Sequence, residues 1–193
     1  RFNDFQIKNL SMAVEAAKQC NLKEKKIFRS LKKIKDINGR LELIKTFSNN
    51  IKVFVDFAHT PDALSKSIMA LKNSYKSDLS IVFGCGGDRD FKKRPLMAKV
   101  ANTYCKNIYV TDDNPRNEKP EKIREEIAKI INKNKYSNIA NRAKAIKTAI
   151  KNAEPNELIL VAGKGHEDQQ IYKNKTINIS DKEIIKNLKI NRK

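Results

Sequence analysis

Apolar residues recur along this chain in two rhythms, and the change between them falls near Ile51. Before it, NLSMAVEAAKQC at 9–20 and KEKKIFRSLKKIK at 23–35 place apolar side chains at helical spacing, with Asn21 as a stop between them. Two short helices are predicted there. From Ile51 onward, short β-branched runs alternate with helical stretches: IKVFVDF, PDALSKSIMALKN, LSIVFG, RPLMAKVANTYC and NIYVTD. This order reads as βαβαβ. It continues with a helix after Pro120, a weak strand near Tyr136, a helix over 141–152 and a strong strand, ELILVAG, at 157–163. A pair of short strands and a helix started by Ser180 or Asp181 close the chain.

Strands alternating with helices of this length predict an α/β fold: a Rossmann-like, mostly parallel sheet with helices on both faces and ligands at the carboxyl ends of the strands. The segment around Asn38, Gly39 and Arg40 separates the helical pair from the first expected strand and is taken as the domain boundary, giving 1–38 and 39–193.

Composition narrows the function. At 193 residues and 39% hydrophobic content the chain can bury one substantial core. The net charge of +19 would suit a nucleic acid or an anionic surface. Its lysines, however, are spread through every segment among Asn and Ile, with no RRM, KH, zinc-finger or aromatic stacking signature. A solvated basic surface is therefore expected, with no nucleic-acid partner. Cys20, Cys85 and Cys105 are odd in number, widely spaced and lack a CxxC pattern, so neither a disulfide framework nor a zinc site is indicated, and a reducing cytoplasm is expected. No apolar stretch approaches the roughly 18 residues that span a bilayer. The first residues, RFNDFQIKNL, lack signal-peptide organisation and an initiator Met, so a soluble fragment is expected.

The unusual motifs fall at strand ends. Asp56, His59, Thr60 and Pro61 follow the first expected strand, where a carboxylate and an imidazole can hold a ribose or a metal-phosphate group and Thr60 can cap a helix beginning at Pro61. Read plainly, the same residues are a helix start and a loop histidine. GCGGDRD at 84–90 offers glycines for close backbone approach and Arg89 as a planar fork for a carboxylate, although a tight turn with a surface arginine would look alike. It is not a Walker A loop, since GxxxxGKS/T occurs nowhere in the chain. TDDNPR at 111–116 holds Arg116 on a loop stiffened by Pro115, though Asp, Asn and Pro are also ordinary turn residues. GKGHED at 163–168 gathers glycines, a cation, an imidazole and carboxylates. There Glu167 can fix an amine and Gly163 can present backbone groups to a zwitterion.

Taken in order and spacing, NGRLE at 38–42, VDFAHTPDAL, VFGCGGDRD with KRPLM, VTDDNPR and VAGKGHED resemble the C-terminal domain of the Mur ligases, in particular the branch that adds meso-diaminopimelate. The opening RFNDFQIKNLSMAVEAA is similar to the segment that closes the family's central ATPase domain, so 1–38 would be a helical remnant of that domain. The resemblance implies ATP-dependent amide formation through an acyl phosphate, with ATP as cosubstrate and Mg2+ bound mainly by the central domain. The P-loop, the carbamylated lysine and the uridine-nucleotide domain of such enzymes are absent, so no ligation is expected from this chain alone.

It further implies that Arg40, Asp56 and His59 face ATP, and that Arg89, Asp113, Asn114, Pro115, Arg116, Gly163 and Glu167 hold meso-diaminopimelate. The partners it implies are small molecules (meso-diaminopimelate, ATP and UDP-MurNAc-dipeptide) and the remaining domains of the same enzyme, in a cytoplasmic monomer with no membrane partner. Diaminopimelate carries a carboxylate at its far end that lysine lacks, and Arg116 carries most of that substrate choice. Phe57, where Tyr is usual, Phe91 and Lys92 before KRP, and Gln169 after GHED depart from the commoner pattern. A lysine-adding or folylpolyglutamate-type ligase, and a basic nucleic-acid-binding module, are the alternatives.

Overall fold

The computed structural model describes residues 4–34 and 37–189, and the chain divides into two compact units, Arg1–Ile37 and Asn38–Lys193. In the first unit, α1 (Asp4–Gln19) starts earlier than residue 9, and α2 (Glu24–Leu31) stops short of residue 35, which lies outside the described residues. Asn21 takes a left-handed φ of 59°, and the Asn21 and Leu22 amides bond back to Lys18 and Ala17 carbonyls at 2.8 and 3.2 Å. Those bonds close α1 as a left-handed C-terminal turn does.

The second unit is a six-stranded sheet with helices on both faces. Its elements run β1 (Glu42–Thr46), β2 (Lys52–Asp56), α3 (Pro61–Tyr75), β3 (Leu79–Phe83), α4 (Lys93–Tyr104), β4 (Ile108–Val110), α5 (Pro120–Ala128), β5 (Tyr136–Asn138), α6 (Arg142–Asn152) and β6 (Leu158–Ala162). A separate hairpin of β7 (Gln169–Tyr172) and β8 (Lys175–Asn178) and the helix α7 (Asp181–Asn187) follow. The strand order is β1-β2-β6-β3-β4-β5, parallel throughout except for β1, which pairs antiparallel with β2.

β1 corrects the expectation that the sheet begins at Ile51. Its ELIKT sequence shows little alternation, because this edge strand leaves most positions exposed or half-buried.

The central strands read as mostly apolar runs without alternation because both of their faces are covered. Leu79, Ile81, Phe83, Leu158 and Leu160 face one layer with Leu64, Ile68 and Leu71 of α3, Met97 and Ala101 of α4, and Ile123 and Ile127 of α5. Val53, Val55, Val82, Ile159 and Val161 face the other, with Ala145, Ile146, Ala149 and Ile150 of α6 and Ile185 of α7. At roughly 1.5–3 kcal/mol per large aliphatic side chain removed from water, these two layers dominate the stabilising terms.

The switch of faces follows from the topology. The chain passes β2, β3, β4 and β5 in one direction along the sheet, then returns through α6 to insert β6 between β2 and β3. Right-handed crossovers in opposite directions place their helices on opposite faces. The register sets Asp56 beside Ala162, Val82 beside Val161 and Phe83 beside Val110, so four strand ends finish at one edge. No described helix is long and apolar enough to cross a membrane.

Candidate active site

The loops leaving β2, β3, β4 and β6 meet at that edge and form two clusters. The first is built on close backbone approach. A Cβ on Gly84 would lie 2.2 Å from the Thr111 carbonyl oxygen, and one on Gly87 would lie 1.9 Å from that of Pro115. Glycine at these positions lets the loop after β3 lie directly on the loop after β4, and Gly87 N–H donates to Asn114 O at 2.9 Å.

Arg116, at φ 52°, donates from Nη1 to the carbonyls of Gly87 (2.9 Å) and Asn114 (3.3 Å). Its Nε and Nη2 make no hydrogen bond among the described residues, so that side of the guanidinium remains available. A Cβ on Gly86 would meet Arg116 Nη1 at 2.9 Å and Arg89 Cγ at 3.9 Å, so the two arginines flank this glycine. Arg89 is exposed, with Nη1 on its neighbour's carbonyl, Asp88 O, at 3.2 Å.

Arg94 braces the pair from beneath. It is buried on α4, donating from Nη2 to Glu118 and from Nη1 to Glu126, both at 2.7 Å, and from Nη2 to Gly86 O at 3.4 Å. Glu118 also accepts the Asp88 amide at 2.7 Å, and its pKa is lowered mainly by the Arg94 hydrogen bond.

Beside the arginines, Asn114 and Glu167 come together through Lys164. The Asn114 amide donates to Glu167 Oε2 at 3.1 Å, and Lys164 Nζ donates to Asn114 Oδ1 at 3.1 Å and to the same Glu167 oxygen at 2.9 Å. Burial works against the Glu167 carboxylate, but Lys164 and Asn114 outweigh it and hold its pKa below the usual range. Asp113 is buried, with Oδ1 accepting the Asn114 amide N–H at 2.7 Å. Gly163 (φ 113°) packs against the other oxygen, 2.8 Å from where its Cβ would be. Pro115 is buried in the same loop. The hairpin covers this cluster, with the Arg116 amide bonded to Ile171 O at 3.0 Å and the Ile171 amide to Asn114 Oδ1 at 3.0 Å. Gln170 is buried and donates to Asp112 O at 3.0 Å, while Gln169 is exposed.

The second cluster is cationic and aromatic. Arg40 stacks on the Phe57 ring at 4.4 Å, with His59 edge-on to that ring at 4.7 Å and His166 at 5.4 Å. Gly39 (φ 68°) makes it possible, since a Cβ there would fall 2.4 Å from His166 N. Asp56 does not join this exposed face. It is buried, its carboxylate accepting the Ser67 hydroxyl at 2.5 Å and the Ala58 amide at 3.2 Å, and burial raises its pKa against those bonds. Thr60 caps α3 by accepting the Ala63 amide, and Lys93 Nζ ties His59 O to α4 at 2.9 Å.

Chemically, an arginine pair suits a carboxylate, a carboxylate beside an amide suits an ammonium, and a guanidinium-aromatic-imidazole face suits a nucleotide. Sequence reasoning missed Lys164, Arg94 and Gln170. Lys164 stood in its motif only as a cation without a role, and nothing local marks partners tens of positions away.

Residues 39–165 match the sequence model described as Mur ligase, glutamate ligase domain. The chain belongs to the Mur ligase family. Among curated Mur ligases, it is 45% identical over 184 residues to the UDP-N-acetylmuramoyl-L-alanyl-D-glutamate–2,6-diaminopimelate ligase of Rickettsia montanensis, covering 94% of this chain and 38% of that protein. It is 44% identical over 186 residues to the protein of the same name from Rickettsia felis, covering 95% and 34%. A solved structure of a ligase of that name superposes with a TM-score of 0.72 at 33% identity, over 96% of this chain and 38% of the other. The chain thus spans just over a third of the Mur ligases it matches.

Proposed function

We propose that the chain is the amino-acid-binding part of an ATP-dependent amide ligase that adds meso-diaminopimelate to UDP-MurNAc-L-Ala-D-Glu. The observation that carries the reading is Arg116, fixed through Nη1 to two carbonyls and flanking Gly86 with Arg89, so that both guanidiniums can meet one carboxylate. The names of the similar proteins point to the same substrate. Lysine would leave these arginines without an anion, and that unmet desolvation separates the two amino acids.

In this reading Asp113, Asn114, Pro115, Gly163 and Glu167 complete the site, with Glu167 accepting from the far ammonium and Asp113 fixing the loop. Arg40 and His59, with Phe57 between them, face ATP, and Asp56 holds their loop in place from inside. The substrate carboxylate takes the γ-phosphoryl group of ATP and ADP leaves. The near amine then attacks the acyl carbon, phosphate departs and the amine loses a proton. The contribution of these residues is to bind and orient the nucleophile, which lowers the barrier without a covalent intermediate on the chain.

Mg2+ would accompany ATP. In this reading it is held mainly by the central domain. The reading also places the protein in the cytoplasm as a monomer.

The test is phosphate release by a protein that joins this chain to its uridine-nucleotide and ATPase domains, supplied with ATP, UDP-MurNAc-L-Ala-D-Glu and one amino acid at a time. Turnover with meso-diaminopimelate and little with lysine or glutamate is expected. Faster turnover with either of those would overturn the substrate assignment.

A further inference from the structure

Lys164 is inaccessible to solvent, and an ammonium is seldom fully buried unless paired. Its two acceptors are Asn114 Oδ1 and Glu167 Oε2. Asn114 Oδ1 takes a second bond from the Ile171 amide, and Asn114 Nδ2 donates to the same Glu167 oxygen. Oδ1 and Oε2 therefore each receive two donors. What remains is Glu167 Oε1, which accepts no hydrogen bond among the described residues and belongs to a side chain 36% exposed, together with the second Nδ2 hydrogen of Asn114.

We infer that Lys164 is a positioning residue for amino-acid recognition: it occupies one oxygen of Glu167 and the oxygen of Asn114, so that Glu167 Oε1 is presented to the ligand ammonium. The inference rests on the reading of Glu167 as an amino-acid ligand. Lys164 touches no substrate and acts through its two partners. Without its ammonium, Glu167 can turn either oxygen inward and loses the hydrogen bond and charge that favour its ionised form against burial. A buried lysine with both acceptors in the ligand set differs from a lysine that merely closes a turn, because its loss alters affinity through those acceptors.

A double-mutant cycle read by meso-diaminopimelate affinity separates the two roles, with thermal melting of each variant alongside. Lys164→Met and Glu167→Gln should each weaken binding by about tenfold or more, the effect of losing a charged hydrogen bond. The double variant should lose clearly less than the two single losses combined, because the part of the Lys164 effect that passes through Glu167 is already gone and coupled residues are not additive. Additive losses overturn the inference, as does unchanged affinity in a folded Lys164→Met protein while Glu167→Gln is weakened, which leaves the Glu167 reading standing. Unchanged affinity in Glu167→Gln overturns that reading and the inference with it. Should Lys164→Met not fold, Lys164→Gln, which keeps a donor but not the charge, replaces it in the cycle with the same outcomes.

Discussion

Arg142 and Asp181 lie 39 positions apart and meet in a two-pronged ion pair, Nε to Oδ1 at 2.8 Å and Nη2 to Oδ2 at 2.6 Å, with both side chains sealed from solvent. Nη2 also donates to Ala162 O at 3.1 Å, so the pair pins α6 and α7 to the end of β6, where the loop bearing Lys164 and Glu167 begins. Removing one partner leaves a buried charge unmet. Asp181→Ala should cost about 3–5 kcal/mol in urea unfolding, and a cost under about 1 kcal/mol would show that the pair is not buried as described.

Gly87→Ala places a methyl group against the Pro115 carbonyl, a backbone atom that cannot swing away. The loops after β3 and β4 must separate, at about 1–3 kcal/mol by the usual cost of overpacking. Because those loops carry Arg89 and Arg116, amino-acid affinity should fall in the same variant. Full affinity with reduced stability would mean that the loop contact does not set the arginine spacing.

Asp56 and Glu167 should respond to pH with opposite sign. Burial raises Asp56 above its ordinary 3.8, so its contribution to stability is complete below that value and is lost as pH rises through the raised pKa. Glu167, although opposed by burial, is lowered below 4.5 by Lys164 and Asn114, so its contribution is present above 4.5 and is lost as pH falls through the lowered pKa. Urea unfolding across pH should therefore show Asp56→Asn gaining on the unsubstituted protein as pH rises, and Glu167→Gln losing ground in the same direction. Parallel curves would contradict both assignments.

Cys20 is exposed, while burial pushes the Cys85 and Cys105 thiols up to about 12. A thiol reagent at neutral pH should modify Cys20 in the folded protein and all three cysteines in urea. Peptide mapping that finds Cys85 labelled as fast as Cys20 would show that the loop after β3 opens in solution.

Where the sequence was readable, the reason is burial on two faces. β6 is an unbroken apolar run and β2 and β3 are mostly apolar, and Thr60 with Pro61 marks a helix start by chemistry that needs no tertiary context. β1 escaped because an edge strand has little to bury. The arginines and acids of the site could be named from their motifs, but not the lysine beneath them. Lys164 reaches Asn114 across 50 positions and Arg94 reaches Glu118 across 24, and such pairings are set by the sheet register, not by local spacing. Asp56 shows the converse, a motif residue whose carboxylate the fold turns inward to Ser67.

The central claim, that this chain recognises diaminopimelate through Arg116, is tested most directly by calorimetric titration with meso-diaminopimelate, with L-lysine and the Arg116→Ala variant as controls. Meso-diaminopimelate should bind in preference to lysine, and Arg116→Ala should weaken it by about ten- to a hundredfold, the range for a lost charged hydrogen bond, with little change in melting temperature. Equal binding of the two amino acids, or undiminished affinity in the variant, would contradict the account.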